Sequence, residues 1–584
     1  MTDAVLAADV APARDLNGRR VLFGVLVVAT IALLLALARA ALSANGFDAL
    51  DVLLLVLFAI TLPWTVIGFW NAAIGFLVMR FSRDPVAAVF PAAGKVRDDA
   101  PVTVSVALLM CIRNEPPARV LRNLGPMLDG LARSNAAEKF HLYVLSDTSF
   151  PDIAAEEDAR FGELQAAWQG RIAITYRRRE DNVGFKAGNI EDFCARWGSQ
   201  HDIAITLDAD SVMPPAAMLR LARIMQAEPR LGIVQALVVG LPSTSAFARI
   251  FQFGMRLGMR SYTIGGAWWQ GDCGPYWGHN AAVRLAPFTV HCKLPLLPGG
   301  GHILSHDQVE AVLMRRAGYE VRVLPDEDLG WEENPPTLIE FIRRDLRWCQ
   351  GNMQYWRFLT WPGLKLLSRF QLLLAILMFI GSPAWIVMLV VGTAAAARAP
   401  GTLINPLYGW LLLAAVLFMW FAPKIATIAD ILLRPSLRRA FGGPPRLLTN
   451  VLIETVFFLL LSPVQWMSHT IQLAELVLGR KVGWNAQSRD DHAVPFSDAL
   501  RQFWPHLLVG WGCILALALT NPAAVPVALL TAGGLALSAL LAVVTASPVF
   551  ARFVLRFGIG RLPEETLKPD ILRALNLPAL APHA

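Results

Sequence analysis

The chain has 584 residues, of which 55% are apolar and only 17% charged, with a net charge of +7 and a mean hydropathy of +0.47. That balance excludes an ordinary soluble protein and points to a membrane protein with room for several domains. The basic residues do not gather in one tract and many stand beside apolar segments, so orientation in a bilayer explains them better than nucleic-acid binding does. The six cysteines (Cys111, Cys194, Cys273, Cys292, Cys349, Cys513) have no metal-ligand spacing and read as free thiols in a reducing compartment.

Crossing the hydrocarbon core takes about 20 apolar residues, and residues 21–38 and 52–79 qualify. Arg14, Arg19 and Arg20 precede the first stretch, the connection 41–50 carries no basic residue, and Arg80 and Arg83 follow the second. The positive-inside rule therefore places residues 1–20 and the exit after Met79 in the cytoplasm. The first stretch lacks a small-residue cleavage pattern and has a partner close behind, so it reads as a retained anchor. Residues 81–342 then read as a soluble domain and 343–369 as an interfacial segment. Spans at 370–397 and 407–425, within a two-helix unit 370–432, lead to a basic loop with Arg434, Arg438, Arg439 and Arg446.

Three apolar stretches remain, at 451–478, 507–519 and 523–546, and the tail 548–584 carries Arg552, Arg556 and Arg561. Three crossings cannot join two cytoplasmic points. The stretch 451–478, interrupted by Glu454, Pro463, Gln465, His469, Gln472 and Glu475, best suits a helix lying in the interface. Six spans are expected, with 433–502 staying on the cytoplasmic side and 503–547 forming the last two. Seven is the alternative.

Inside the soluble region, short runs rich in Val, Ile and Leu at 102–110, 141–147, 171–176, 202–210 and 231–239 predict strands, with amphipathic helices such as 117–133 and 214–227 between them. Strand and helix in alternation predict a mostly parallel sheet covered on both faces, with ligands bound beyond the carboxyl ends of the strands. Acids stand at that edge. "CIRNE" (111–115) follows the first strand, Asp147 ends the second, and "LDAD" puts Asp208 and Asp210 at the end of the fourth. Extended chain sends both side chains of Asp-Ala-Asp to one face, roughly 7 Å apart. Two like charges so placed need a partner, and a divalent cation with phosphate oxygens would supply one. The plainer reading is an acidic turn after a buried strand, which the repetition of acids at one edge outweighs.

In "GGGHILSHDQVEAVLMRRAGYEV" (299–321), Ser305 with Gln308 predicts a capping box, Val309, Val312 and Leu313 a buried face, and Gly318 the helix end. Asp307 then falls in the first turn, where it either takes part in a site or merely complements the helix dipole, worth roughly 0.3–1 kcal/mol. "RRDLRWCQGNMQYWRFL" (343–359) sets Arg343, Arg344, Arg347 and Arg357 among Trp348, Tyr355 and Trp356 just before a span. Arginine suits bidentate phosphate contacts and indole faces suit sugar rings, while an interfacial helix with snorkelling arginines is a compatible reading.

With these residues in view the chain resembles the processive family 2 glycosyltransferases, of which cellulose synthase is the best known: Asp147, "DAD" at 208–210, "SHD" at 305–307 and "RDLRW" at 344–348 match that family's motifs. The closer resemblance is to the glucans biosynthesis glucosyltransferase H family, carried by "YRRREDNVGFKAGNIEDFCARWG", "LDADSVM", "YWGHNAAVR", "LSHDQVEAVLMRRAGYEV" and "WEENPPTLIEFIRRDLRWCQGN" over most of residues 103–360. The resemblance implies an α/β GT-A domain with a mostly parallel sheet, inserted in an α-helical transmembrane bundle of the bacterial inner membrane. It implies UDP-glucose as donor and a β-glucan product, with a β-1,2 backbone as in osmoregulated periplasmic glucans. A β-1,4 linkage and transfer to a lipid-phosphate acceptor remain the alternatives.

By the same resemblance Asp208 and Asp210 would hold Mg²⁺ or Mn²⁺. Asp147 would contact the uridine, Lys186, Gly188 and Asn189 would line the nucleotide pocket, and Asp307 would be the general base. Arg347 would brace the diphosphate, Trp348 would stack on the acceptor glucose, and Arg344 would belong to the same substrate-binding set. "GRKVGWNAQSRDD" (479–491) falls where cellulose synthases have a gating loop, so Trp484, Gln487 and Arg489 would close over the nucleotide. Arg344 stands in place of the Gln of Gln-x-x-Arg-Trp, and His306 in place of the Glu of a Thr-Glu-Asp motif. The implied partners are the growing glucan, the bilayer, periplasmic glucan-processing proteins and acyl carrier protein. The short stretch before the first span puts partners of a longer N-terminal extension in doubt.

Overall fold

The computed structural model describes residues 14–44, 46–398, 404–480 and 489–575. Its centre is a seven-stranded sheet built from β1 (Val106–Ile112), β2 (Phe140–Ser146), β3 (Ala173–Arg178), β4 (Ile203–Asp208), β5 (Leu231–Ala236), β7 (Ala281–Arg284) and β8 (Glu320–Leu324), in the order β3-β2-β1-β4-β7-β5-β8. A separate pair joins β6 (Val239–Gly240) to β9 (Trp331–Glu332). All neighbours in the large sheet are parallel except β7, which runs antiparallel between β4 and β5.

Alternate residues of one strand feed two cores. Val106, Leu108 and Met110 of β1 pack with Leu124, Leu128 and Leu142 on one face. Ala107 and Leu109 pack with Tyr143, Phe193 and Phe288 on the other. This is why β1 reads as an unbroken apolar run: a parallel strand covered on both sides has no polar face to show. The five strands legible in the sequence are all present, though β1 begins at Val106 rather than at residue 102.

The soluble stretch is less separate from the membrane than its composition implies. Helix Ala246–Gln270 lies against helix Ala49–Phe81, backbone to backbone. A Cβ at Gly75 would meet the Ser261 carbonyl oxygen at 1.8 Å, and one at Gly265 would meet that of Asn71 at 1.8 Å. Phe23 of the first helix stacks on Trp269 with ring centroids 4.3 Å apart, and Arg20 donates to the carbonyls of Trp269 and Gln270 and pairs with Asp272. Helix Leu366–Arg398 begins inside the sheet domain, with Leu372 and Ile376 packed beside Val309 and Tyr355.

Among the described residues six helices are long and apolar enough to cross a membrane: Asp15–Leu42, Ala49–Phe81, Leu366–Arg398, Pro406–Leu433, Pro444–Val477 and Phe496–Thr520. A bent pair, Pro522–Ala536 with Ser538–Thr545 at 56°, makes a seventh if counted as one span. This set differs from the sequence reading by including Pro444–Val477. That helix meets helices of the soluble region on one side and membrane helices on the other, where Met467 packs with Ile386 and Leu535. Leu447 packs with Phe253 and Leu257, while Phe457, Leu461 and Val464 pack with Phe247, Phe341 and Ile342.

Candidate active site

β4 delivers Asp208 to the carboxyl edge of the sheet, and the chain turns at once. The Asp208 amide donates to Ser211 Oγ at 2.9 Å, the Ser211 amide donates back to the Asp208 carbonyl at 2.9 Å, and Val212 exchanges two 2.8 Å backbone bonds with Trp331. The Asp-Ala-Asp turn is thus pinned to β9, which brings Glu332 to the same place. Lys186 pairs with Asp208 and donates to the Gly278 carbonyl at 2.8 Å, and Arg489 pairs with Asp210. Burial pushes the Asp208 carboxyl up, but Lys186, His279 and Arg489 outweigh it and hold it at about 2.

Around these acids lie further groups. Glu115 accepts from the Arg113 amide, and burial, with Asp210 and Asp208 close by, pushes its carboxyl up to about 7 against the pull of that amide and of Arg489. Glu332 is also raised by burial, with His279 at 3.6 Å opposing and Asp210 reinforcing. Glu333, next in the chain, receives Arg119 at 2.6 Å and Arg122 at 2.7 Å, and Arg119 also pairs with Asp490. The sequence reading quoted "CIRNE", "YWGHN" and "WEENPP" without giving Glu115, His279 or Glu332 a role. Glu115 stands just past the end of β1, His279 just before β7 and Glu332 within β9, and β7 and β9 are too short to be read from sequence.

Asp208 and Asp210 offer only hard oxygen, and both now face side-chain cations, so the turn calls for positive charge. Among the described residues no group of three or more His, Cys, Asp or Glu converges as a self-sufficient metal site. The donor set therefore fits a hard divalent ion that completes its shell with phosphate oxygens rather than a resident structural metal.

Asp307 is the first residue of helix Asp307–Arg316. The capping box does not form. His306 occupies the cap position without a side-chain bond, Gln308 donates instead to the Tyr276 carbonyl at 3.1 Å, and the Ser305 carbonyl accepts from Tyr355 Oη at 2.9 Å. The helix begins one residue late for the box: His306 takes the cap position, and Ser305 stands before it, packed close to Gly351, where an added Cβ would meet Ser305 Cβ at 2.8 Å. Gly318 does end the helix, at φ +94°. Burial raises the Asp307 carboxyl, with Glu310 adding and His306 opposing. Burial works to lower the His306 pKa, but Glu310 at 2.9 Å outweighs it and raises it. The Gly278 turn, at φ +80°, stands between the two halves of the site: its carbonyl binds Lys186, and its Cβ position lies 3.5 Å from Asp307 Cβ.

Helix Leu338–Met353 starts at Thr337, whose hydroxyl accepts from the Glu340 amide at 3.3 Å, and carries the "RDLRW" residues. The Arg344 guanidinium lies over the Trp348 ring, 4.8 Å from its centroid, and Trp348 is 48% exposed. Burial lowers the pKa of both Arg344 and Arg347, with Glu332 and Asp210 pulling Arg344 the other way. Arg344 Nε is buried without a hydrogen-bond partner among the described residues.

Other expected site residues are committed to the protein itself. Asp147, 5% exposed, takes a two-pronged contact from Arg179 at 2.7 and 2.8 Å. Asn189 is buried, donating to the Leu145 carbonyl at 2.9 Å and accepting from Arg177 at 2.7 Å, so it ties β2 to β3. Gly188 lines a cavity of about 370 Å³ with Val183, Gly184 and His302, and its missing Cβ lets the helix close on the Val183 carbonyl, 2.0 Å from the Cβ position. Trp484 and Gln487 lie outside the described residues.

Two family models match the chain: glycosyl transferase family 2 over residues 108–290, and glycosyl transferase family group 2 over residues 203–422. A glucans biosynthesis glucosyltransferase H from Ralstonia nicotianae is 35% identical over 91% of this chain and 64% of its own length. Proteins of the same name from Vibrio cholerae and Pseudomonas aeruginosa are 34% and 36% identical, over 91% and 80% of this chain and 75% and 56% of theirs. The chain thus spans less than two thirds of the Ralstonia protein. Among solved structures, a mannosyltransferase from Pyrobaculum calidifontis in complex with GDP-Man and Mn²⁺ covers 62% of this chain and 97% of its own at 17% identity and a TM-score of 0.40, too loose a superposition to bear on the site. The motifs, the sheet that carries them and the Vibrio match together place the chain: it belongs to the glucans biosynthesis glucosyltransferase H family.

Proposed function

We propose that the protein is a processive, inverting glucosyltransferase of the inner membrane that polymerises glucose from UDP-glucose into a β-glucan, with a β-1,2 backbone, and passes the chain across the bilayer. The observation that carries this reading is the convergence of Asp208, Asp210 and Asp307 on the Gly278 turn beside the helix bearing Arg344, Arg347 and Trp348. A bound Mg²⁺ or Mn²⁺, held by Asp208 and Asp210, would supply charge to offset the departing diphosphate. Asp307 takes the proton of the acceptor hydroxyl, and its raised pKa suits it to hold that proton. Arg344 and Arg347 face the diphosphate, Trp348 offers its exposed ring to the acceptor sugar, and Arg489 moves from Asp210 to the phosphates when they arrive.

The same contacts support a topology. Arg489 at Asp210 and Asp490 at Arg119 tie the segment after Pro444–Val477 to the sheet domain. Twelve residues from Val477 to Arg489 would span only about 18 Å as a helix, less than a core of about 30 Å, and an extended crossing would leave unpaired backbone in hydrocarbon. We therefore place that helix in the interface and the bent pair as the sixth crossing, with the transferase domain in the cytoplasm.

Asp307→Asn in the purified full chain is the test: glucan synthesis from labelled UDP-glucose should fall by at least 100-fold while UDP binding persists. Near-normal synthesis would remove Asp307 as base, and linkage analysis of the wild-type product decides between β-1,2 and β-1,4. A product extracted with lipid would favour a lipid-phosphate acceptor.

A further inference from the structure

Behind the "RDLRW" motif a buried polar chain joins three helices. His469 Nε2 lies 2.6 Å from Asp345 Oδ2, and His469 Nδ1 lies 2.9 Å from Ser382 Oγ. Gln465 Nε2 donates to the same Asp345 oxygen at 3.3 Å. Asp345 belongs to helix Leu338–Met353, His469 and Gln465 to Pro444–Val477, and Ser382 to Leu366–Arg398. The three members are 8%, 7% and 3% exposed, and the Phe379 ring packs edge-on against His469 at 4.9 Å.

The carboxylate fixes the first link. A carboxylate only accepts, so His469 Nε2 carries the hydrogen that Asp345 receives. Nδ1 and the Ser382 hydroxyl share the second hydrogen bond, since a hydroxyl both donates and accepts. A buried carboxylate left without its donor would be costly. Asp345 thereby fixes the rotation of its helix. At about 100° per residue, Arg344 and Trp348 fall roughly 40° apart on one side of Asp345, consistent with the guanidinium stacked on the indole. Turning Asp345 away from His469 would swing both.

Both partner helices are interrupted next to the contact. Pro383 follows Ser382 directly, and Pro463 lies two residues before Gln465. Each proline deletes one backbone hydrogen bond and leaves a point where its helix can bend. The polar chain therefore meets each helix within about two turns of its proline. Asn352 donates to the Ala375 carbonyl at 3.4 Å, a second tie between the "RDLRW" helix and Leu366–Arg398.

We propose that Asp345, His469 and Ser382 are positioning residues that lock the "RDLRW" helix to the helix bundle, so that the placement of Trp348 and Arg344 over the acceptor follows the position of the helices past which the product leaves. The inference rests on the glucosyltransferase reading for its kinetic part, and on geometry alone for the rest.

The test uses the full chain in detergent or nanodiscs, with His469→Ala, His469→Gln and Ser382→Ala. Glutamine carries an N–H close to where Nε2 of histidine lies, so it keeps the bond to Asp345 and drops the one to Ser382. For His469→Ala we expect kcat to fall by 10-fold or more and products to shorten, with UDP affinity within twofold of wild type. His469→Gln should restore kcat to within threefold. Hydrogen–deuterium exchange over residues 338–353 should speed up in His469→Ala, and to a smaller degree in Ser382→Ala, with β4 unchanged. Unchanged exchange over 338–353, or a kcat loss that parallels loss of UDP binding and is not rescued by glutamine, overturns the relay. Exchange that responds as expected in a protein whose wild type transfers no glucose leaves the relay standing and removes the proposed function instead.

Discussion

Arg489 pairs with Asp210 across the mouth of the site, although the two are far apart in sequence and Arg489 comes twelve residues after the end of helix Pro444–Val477. The segment thus brings a permanent cation onto an acid proposed to bind a metal. With no nucleotide bound, Arg489 answers the charge of the turn. With a metal and diphosphate in place, it has phosphate oxygens to move to.

Arg489→Ala separates these two states. Without the competing guanidinium, Mn²⁺ should bind the nucleotide-free protein more tightly, as read by the loss of free-ion signal in electron paramagnetic resonance. UDP should bind more weakly, because a charge-assisted contact contributes about 1.5–3 kcal/mol, or roughly 10- to 150-fold. UDP affinity equal to wild type would show that Arg489 serves only to quiet Asp210.

Glu115 predicts an unusual pH dependence. Its carboxyl is raised to about 7 by burial and by Asp210 and Asp208, while an unfolded chain releases that proton near 4.3. Between those values the folded protein holds a proton that the unfolded one has lost. Stability from this group is therefore full below about 4.3 and declines as pH rises toward 7. Glu115→Gln removes the titration, so the variant should match wild type at about pH 4 and exceed it by about 1–2 kcal/mol at pH 8 after solvent screening. Thermal melts in detergent across that range check it, and a constant difference at every pH would assign the effect to packing.

The residues that could be read from sequence were those with local signals. Strand β4 is apolar on both faces, and its terminal acids fall at the edge where parallel sheets bind ligands, so Asp208 and Asp210 were legible before any fold was known. Asp307 was legible for a reason that did not survive: the capping box that singled it out is absent, because the cap position falls on His306 and not on Ser305. Strand β7 has four residues and no period, yet it sits between β4 and β5 and carries the Gly278 and His279 turn into the site. Helix Ala246–Gln270 reads as part of a soluble domain, since its contact with the second membrane helix depends on glycines whose meaning lies in a partner more than 180 residues away. Long-range pairings such as Arg489 with Asp210 leave no local trace.

Arg344 replaces the glutamine of the related motif, and the structure gives that exchange a consequence. Its guanidinium stacks on Trp348, its Nε has no partner among the described residues, and burial lowers its pKa. A buried donor without a partner costs about 1–3 kcal/mol, so Arg344 is held at some expense of stability. Arg344→Gln should raise the KM for UDP-glucose about 10-fold and leave the melting temperature equal or slightly higher. A lower melting temperature with unchanged KM would assign Arg344 to packing on Trp348 alone.

The last prediction concerns the seam between the transferase domain and the membrane. At Gly75 a methyl group would stand 1.8 Å from the Ser261 carbonyl oxygen, an obstacle made of backbone that cannot rotate aside. At Gly68, two turns earlier in the same helix, the nearest atom is Tyr262 Cε2 at 4.0 Å. The two substitutions share the gain in helix propensity, up to about 1 kcal/mol, and differ only in the contact. Gly68→Ala should be neutral or mildly stabilising. Gly75→Ala should force the helices apart and cost at least about 1–3 kcal/mol, the usual range for overpacking. Helix Ala246–Gln270 runs through Gly271 into the stretch that ends in the Gly278 turn, so its displacement also moves the carbonyl that Lys186 holds and the floor beside Asp307. Glucosyl transfer by Gly75→Ala should therefore fall below that of Gly68→Ala even at temperatures where both proteins are folded. Equal melting temperatures and equal rates for the two variants would mean that the helices are not in backbone contact at this seam.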